Sequence, residues 1–165
     1  MNIYPDLYLE SITNINPELL KKNNIRGLIL DVDNTLIDYY KNLSEETINW
    51  VKDLKKQGIK LYILSNTNKK EKVKTVSKKL DIPYIMFAKK PLKGGFLKAA
   101  EKMNLEPNEI ASVGDQIFTD VIGANRCNMF SILVKPVAKK DLFITWLKRP
   151  IEDLVIKKYL KKKGK

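Results

Sequence analysis

The chain has 165 residues, 31 Lys or Arg against 19 Asp or Glu, no His, a single Cys and a formal charge of +12 at neutral pH. That length suits one domain with a core of its own, and a lone Cys127 excludes an intrachain disulfide. The absence of His leaves proton transfer and metal binding to carboxylates, which favour hard ions such as magnesium.

In chain order, Tyr4, Leu7, Tyr8, Leu9 and Ile12, then Ile15, Leu19 and Leu20, are apolar enough to pack on a sheet edge. Gly27–Asp31 reads as a buried strand. Ser44 caps a helix with Glu45 and Glu46 in its first turn, Ile48, Val51 and Leu54 at helical spacing, and Gly58 as its stop. A strand over Lys60–Leu64 is followed by a helix opened by Asn68 and running through Val73, Val76 and Leu80. Tyr84–Phe87 is the third strand, and the next helix starts near Gly94 and Gly95 and runs through Phe96, Leu97 and Ala100 to about Met103. Ile110–Val113 and Ser131–Val134 complete the strands. This alternation predicts an α/β fold: a parallel sheet of about five strands with helices on both faces, its core over residues 26–136.

Beyond the core, Leu142, Phe143, Trp146 and Leu147, then Ile151, Leu154, Val155 and Leu160, fall on helical faces with Lys148, Arg149, Lys157 and Lys158 between them. Pro150 is expected to break this segment, residues 141–165, into two helices. Residues 135–165 hold eleven Lys or Arg and three Asp or Glu. Such a tail suits an anionic membrane, a nucleic acid or an acidic substrate, or serves solubility alone. No apolar run approaches the roughly 18 residues that cross a bilayer, so membrane contact is expected only at the surface. With no leader pattern at the N-terminus, the expected location is cytoplasmic, peripheral on the inner face of the cell membrane if the tail binds lipid.

Four polar signals follow in order, each at the end of a predicted strand. Asp31-Val-Asp33-Asn34-Thr35 puts two carboxylates one residue apart where an open α/β sheet places its active site, so that one can attack phosphorus while the other handles a proton. Taken alone, the same residues also make good turn and capping chemistry. Ser65-Asn66-Thr67 ends the second strand with a hydroxyl and main-chain N–H groups able to hold phosphate oxygens, or simply to form a turn. Lys89, Lys90 and Lys93 supply cations after the third strand, any of which can neutralise a phosphoryl group. Gly114-Asp115, with Asp120 further on, brings two more carboxylates to the same edge, and carboxylates so gathered repel one another unless a cation sits among them.

In these four motifs the chain resembles the haloacid-dehalogenase-like (HAD) hydrolases, subfamily IIIA, over roughly residues 26–136. The resemblance implies a Rossmann-like HAD fold, with Asp31 as the nucleophile that becomes phosphorylated and Asp33 as the acid and base. It implies a magnesium ion held by Asp31, the Asp33 main-chain carbonyl and Asp115, with Asp120 in support. Ser65 and Lys90 would grip the phosphoryl group beside Asn34 and Asn66, Lys90 being preferred because Lys-Pro is a common form of this motif. Between the motifs there is no room for a cap domain, which suits a substrate whose bulk stays outside.

Pro5-Asp-Leu-Tyr, Ile15-Asn-Pro-Glu-Leu-Leu-Lys and Lys90-Pro-Leu-Lys-Gly-Gly-Phe further resemble the YqeG-type phosphatase branch, itself similar to phosphatidylglycerophosphate phosphatases. The implied reaction is hydrolysis of phosphatidylglycerophosphate to phosphatidylglycerol and phosphate. The rival expectations are a soluble phosphatase acting on a phosphoprotein, a nucleic acid end or a small metabolite, and a non-catalytic RNA- or ribosome-binding protein.

Overall fold

Strand alternation sorts the apolar residues of this chain onto two faces of one sheet. The computed structural model describes residues 1–38, 40–137 and 143–164, with the backbone alone over 143–149. Its strands are β1 (Leu7–Leu9), β2 (Gly27–Leu30), β3 (Lys60–Leu64), β4 (Tyr84–Ile85), β5 (Ile110–Gly114) and β6 (Phe130–Val134). All pair in parallel, in the order β1-β6-β5-β2-β3-β4. Leu28 and Leu30, Leu61 and Ile63, Ala111 and Val113, and Ile132 and Val134 point to one face. There they meet Val51 and Leu54 of α2 (Glu45–Lys56) and Val73, Val76 and Leu80 of α3 (Lys70–Leu80). The intervening Ile29, Tyr62, Leu64 and Ile110 face Phe96, Ala99, Ala100 and Met103 of α4 (Lys93–Met103). Period-two strands buried on both sides require helices on both sides, and the chain supplies them.

The expected five strands become six because the N-terminal segment does more than pack. Leu7–Leu9 joins the sheet edge as β1, in register with Ile132–Val134. The short helix α1 (Pro17–Lys22) follows, with Asn16 as its cap: Asn16 Oδ1 accepts the Leu19 N–H at 2.8 Å. The capping expected of Ser44 is present, its Oγ accepting the Thr47 N–H at 3.1 Å. Asn68, in contrast, does not cap α3. The helix begins behind Lys69 without a side-chain cap, because the hydroxyls of Ser65 and Thr67 already accept the Thr67 and Lys69 N–H groups and carry the turn further. The third strand is also shorter than expected, since the chain leaves β4 at Met86.

Pro150 does not split the C-terminal segment. One helix, α6, runs from Phe143 to Lys163 with Pro150 inside it. A proline costs an interior helix one hydrogen bond, and the tertiary contacts of the following turns offset that loss. Val155 joins a cluster with Ile117, Val121 and Leu133, while the Tyr159 hydroxyl donates to the Asp6 carbonyl at 3.0 Å. Leu142 lies outside the described residues, as do the side-chain faces expected of Phe143, Trp146, Leu147, Lys148 and Arg149.

The topology places the site. From β2 the chain steps outward to β3 and β4, then returns to β5 on the other side of β2 and continues to β6. The crevice above the carboxyl ends of β2 and β5 is therefore the switch point of the sheet, where open α/β folds bind ligands. Residues 31–38 and 65–69 lie there, and among the described residues no cap domain covers the crevice.

Candidate active site

Asp31 extends β2 by one residue, its N–H donating to the Val113 carbonyl at 3.0 Å, so its carboxylate stands at the lip of the crevice beside β5. Lys90 reaches it from the loop before α4. Its ammonium donates to Asp31 Oδ1 at 2.8 Å and to Asp120 Oδ1 at 2.6 Å, with all three side chains buried. Of the three candidate lysines Lys90 alone is buried, whereas Lys89 and Lys93 are exposed. Asn66 fixes its position through a reciprocal pair: Asn66 Oδ1 accepts the Lys90 N–H at 2.7 Å and Asn66 Nδ2 donates to the Lys90 carbonyl at 3.0 Å.

Asp115 follows β5 directly, and Asp120 lies on the π-helical turn Ile117–Val121 that leads into α5 (Ile122–Arg126). Carboxylate oxygens of Asp31, Asp115 and Asp120 lie within 4.8 Å of one another. Gly114 permits this closeness, since a Cβ there would stand 2.2 Å from Asp120 Cγ. Among the described residues this cluster gathers hard carboxylate oxygens beside the Lys90 ammonium. That donor set fits a divalent cation such as magnesium.

Burial pushes the Asp31 carboxyl up to about 7, with Asp120 and Asp33 adding repulsion and Lys90 opposing them. Lys90 is itself lowered by burial, but the two carboxylates outweigh that and raise it, so it stays charged.

Asp33 sits differently from Asp31. It is only partly buried and its partner is Lys72 of α3, which forms an ion pair with Asp33 Oδ1. Asn34 takes a left-handed conformation at φ 57°, which Asn tolerates, and its carbonyl accepts the Val137 N–H at 3.0 Å. Asn34 Oδ1 and Thr35 Oγ1 are buried without a hydrogen-bond partner among the described residues, polar capacity left on the turn after Asp31. Ser65 is buried at the end of β3, its carbonyl accepting the Ala88 N–H at 3.1 Å and so tying the second motif to the lysine loop.

Thus Asp31, Lys90, Asp115 and Asp120 converge on one point, Ser65 and Asn66 support the lysine loop, and Asp33 and Asn34 line the adjoining turn. Two residues escaped sequence reasoning. Lys72 carried the signal of a lysine in the first turn of the helix after Ser65, hidden among many other lysines. Glu152 of α6 had no local signal: its Oε1 accepts the Ile117 N–H at 2.9 Å, capping from 35 residues away the turn that carries Asp120.

Fold and site together define a HAD-type hydrolase. Residues 1–138 match the family described as mitochondrial PGP phosphatase, and the chain belongs to that family. It is 41% identical over 161 residues to a probable phosphatase, YqeG, of Bacillus subtilis, covering 97% of this chain and 92% of that one. It is 23% identical over 170 residues to phosphatidylglycerophosphate phosphatase 1 of Arabidopsis thaliana, a chloroplastic and mitochondrial protein, and spans about half of it, 49%. Among solved structures, the cobalt-bound deoxy-D-mannose-octulosonate 8-phosphate phosphatase of Haemophilus influenzae superposes with a TM-score of 0.58 at 16% identity, over 84% of this chain and 91% of that one. A HAD family hydrolase of Streptomyces avermitilis gives a TM-score of 0.55 at 18% identity, covering 70% and 69%. These two likenesses are of fold.

Proposed function

We propose that this protein is a magnesium-dependent phosphomonoesterase that works through an aspartyl-phosphate at Asp31 and hydrolyses phosphatidylglycerophosphate to phosphatidylglycerol. The observation that carries the reading is the buried Asp31 carboxylate held by Lys90 at an uncapped switch point, in a chain that belongs to the PGP phosphatase family.

The chemistry follows from the residues. Asp31, the Asp33 carbonyl and Asp115 would hold a magnesium ion, with Asp120 in support, and that ion would supply charge neutralisation at the phosphoryl group. Asp31 attacks phosphorus, and the P–O bond to the leaving glycerol breaks as Asp33 delivers a proton to that oxygen. Asp33 then takes a proton from water as it attacks the acyl phosphate, releasing inorganic phosphate and restoring Asp31. Lys90 and the Ser65 hydroxyl hold phosphoryl oxygens, with the Asn34 and Asn66 main-chain N–H groups alongside. Asn66 spends its side-chain amide on positioning Lys90.

Without a cap, the open crevice admits the phosphate while the rest of a large substrate stays outside, as a lipid head group requires. No described helix is long and apolar enough to cross a membrane. In this reading the protein meets the lipid at the surface, on the inner face of the cell membrane. The deciding experiment is phosphate release from phosphatidylglycerophosphate in mixed micelles, with and without magnesium. Release that needs magnesium and falls at least a thousandfold in Asp31→Asn, with the fold intact by circular dichroism, is the expected result. Turnover of a soluble phosphomonoester without any release from the lipid would keep the chemistry and discard the substrate.

A further inference from the structure

The segment that delivers Lys90 to the site also carries an apolar surface with no acidic residue in it. From Met86 to Ala100 the chain contains Lys89, Lys90, Lys93 and Lys98 and neither Asp nor Glu. Three large apolar side chains here face solvent: Phe87 is 61% exposed, Leu92 52% and Leu97 43%. Lys89, Lys93 and Lys98 are exposed among them, while Lys90 turns inward. Leu97 lies one helical turn beyond Lys93 on the outer side of α4, whose inner side is occupied by Phe96, Ala99 and Ala100. Since every strand is parallel, this segment emerges at the same sheet edge as the loops holding the exposed Tyr40 and Val137.

Phe87 is the most telling of the three. It adopts φ 50°, a left-handed conformation that is costly for a bulky side chain, and the strained turn aims the ring at solvent. Exposed apolar groups interleaved with cations, at the mouth of a phosphate site, match a surface that is apolar below and anionic above.

We propose that Phe87, Leu92 and Leu97 insert into an anionic bilayer, with Lys89, Lys93 and Lys98 at the level of its phosphates, so that the mouth of the active site faces the head groups. This rests on the lipid-phosphatase reading and adds to it the surface that meets the membrane. The competing surface is the outer side of α6, where Ile151, Leu154 and Leu160 are exposed among Lys157, Lys158 and Lys161. That helix is already fastened to the body by Glu152, Val155 and Tyr159, and Glu152 and Asp153 lie on it.

The test uses the full-length chain and vesicles of phosphatidylcholine with or without phosphatidylglycerol. Flotation should show binding only to the anionic vesicles, weakened at least tenfold by Phe87→Asp with Leu92→Asp and unchanged by Leu154→Asp with Leu160→Asp. Asp suits the left-handed position 87 better than Phe, so the first pair should fold. Lys93→Glu with Lys98→Glu, which touches no apolar group, should weaken binding comparably. Both sets should hydrolyse a soluble aryl phosphate like wild type yet lose at least tenfold on lipid phosphate presented in vesicles.

Failure of the wild type to bind anionic vesicles, or loss of binding through the α6 pair and not the Phe87 pair, would overturn the proposal. Failure of the lipid-phosphatase reading is a separate outcome: no phosphate release from detergent-dispersed phosphatidylglycerophosphate, whatever the vesicles show.

Discussion

Two cation–carboxylate groups at opposite edges of the sheet have contacts of nearly the same length and quite different consequences. At the carboxyl edge, Lys90 lies 2.8 Å from Asp31 and 2.6 Å from Asp120, with side-chain exposures of 4%, 11% and 3%. At the amino edge, Arg26 lies 2.8 Å from Glu109, with exposures of 66% and 28%. Water already solvates the second pair, so joining it gains little. The first group, Lys90 with Asp31 and Asp120, has been withdrawn from water at a cost that its mutual attraction only partly offsets, and such expense is usual where charge must be ready for chemistry. Distance alone does not reveal which contact matters; burial does.

Removing the cation breaks the comparison most strongly. Lys90→Met strips the buried Asp31 and Asp120 carboxylates of the cation they share and should destabilise the fold by about 3–5 kcal/mol, measured by urea unfolding, besides abolishing turnover. Adding Asp120→Asn should recover part of the stability, because one of the two unpaired charges is gone.

A titration sharpens it next. The Asp31 carboxyl is raised from its ordinary value of 3.8 to about 7 by burial, so the folded state binds its proton more tightly than the unfolded state does. The stabilisation this provides is complete below about pH 3.8 and is lost as pH rises through about 7. Thermal unfolding without divalent ions should therefore show the Asp31 contribution fading between those limits. Millimolar magnesium should raise Tm more at pH 8 than at pH 5.5, since ligation requires the ionised carboxylate. An equal effect at both pH values would contradict the shared role of Asp31.

Glu152→Gln tests a smaller term. Its carboxylate caps the turn bearing Asp120 from α6, and weakening that cap should cost about 1–2 kcal/mol of stability. It should also lower kcat with little change in KM, since Asp120 backs the reacting groups and not the substrate tail. The smallest effect is expected at the other edge, where Arg26→Gln should leave Tm within about 2 °C and turnover unchanged.

Much of the site was legible because its parts are local signals at strand ends. Asp31, Ser65, Lys90 and Asp115 each follow a short apolar run, and parallel strands deliver such positions to one edge whatever the details of packing. The choice among Lys89, Lys90 and Lys93 was not legible from composition alone. It depends on which ammonium the loop turns inward, and Asn66 decides that by holding the Lys90 main chain. Lys72 and Glu152 stayed hidden for the same reason: their partners, Asp33 and the Ile117 N–H, are distant in sequence.

By itself, then, the sequence determined the alternation of strands and helices, the two-faced core and the order of polar motifs, because hydrophobic period and turn chemistry act over a few residues. The tertiary structure decided what depends on long-range contact. It added Leu7–Leu9 as a sixth strand through pairing with β6, and it kept α6 continuous through Pro150 because its later turns dock on the body. It also separated Lys90 from its neighbours by burying one ammonium against two carboxylates and leaving the others in water.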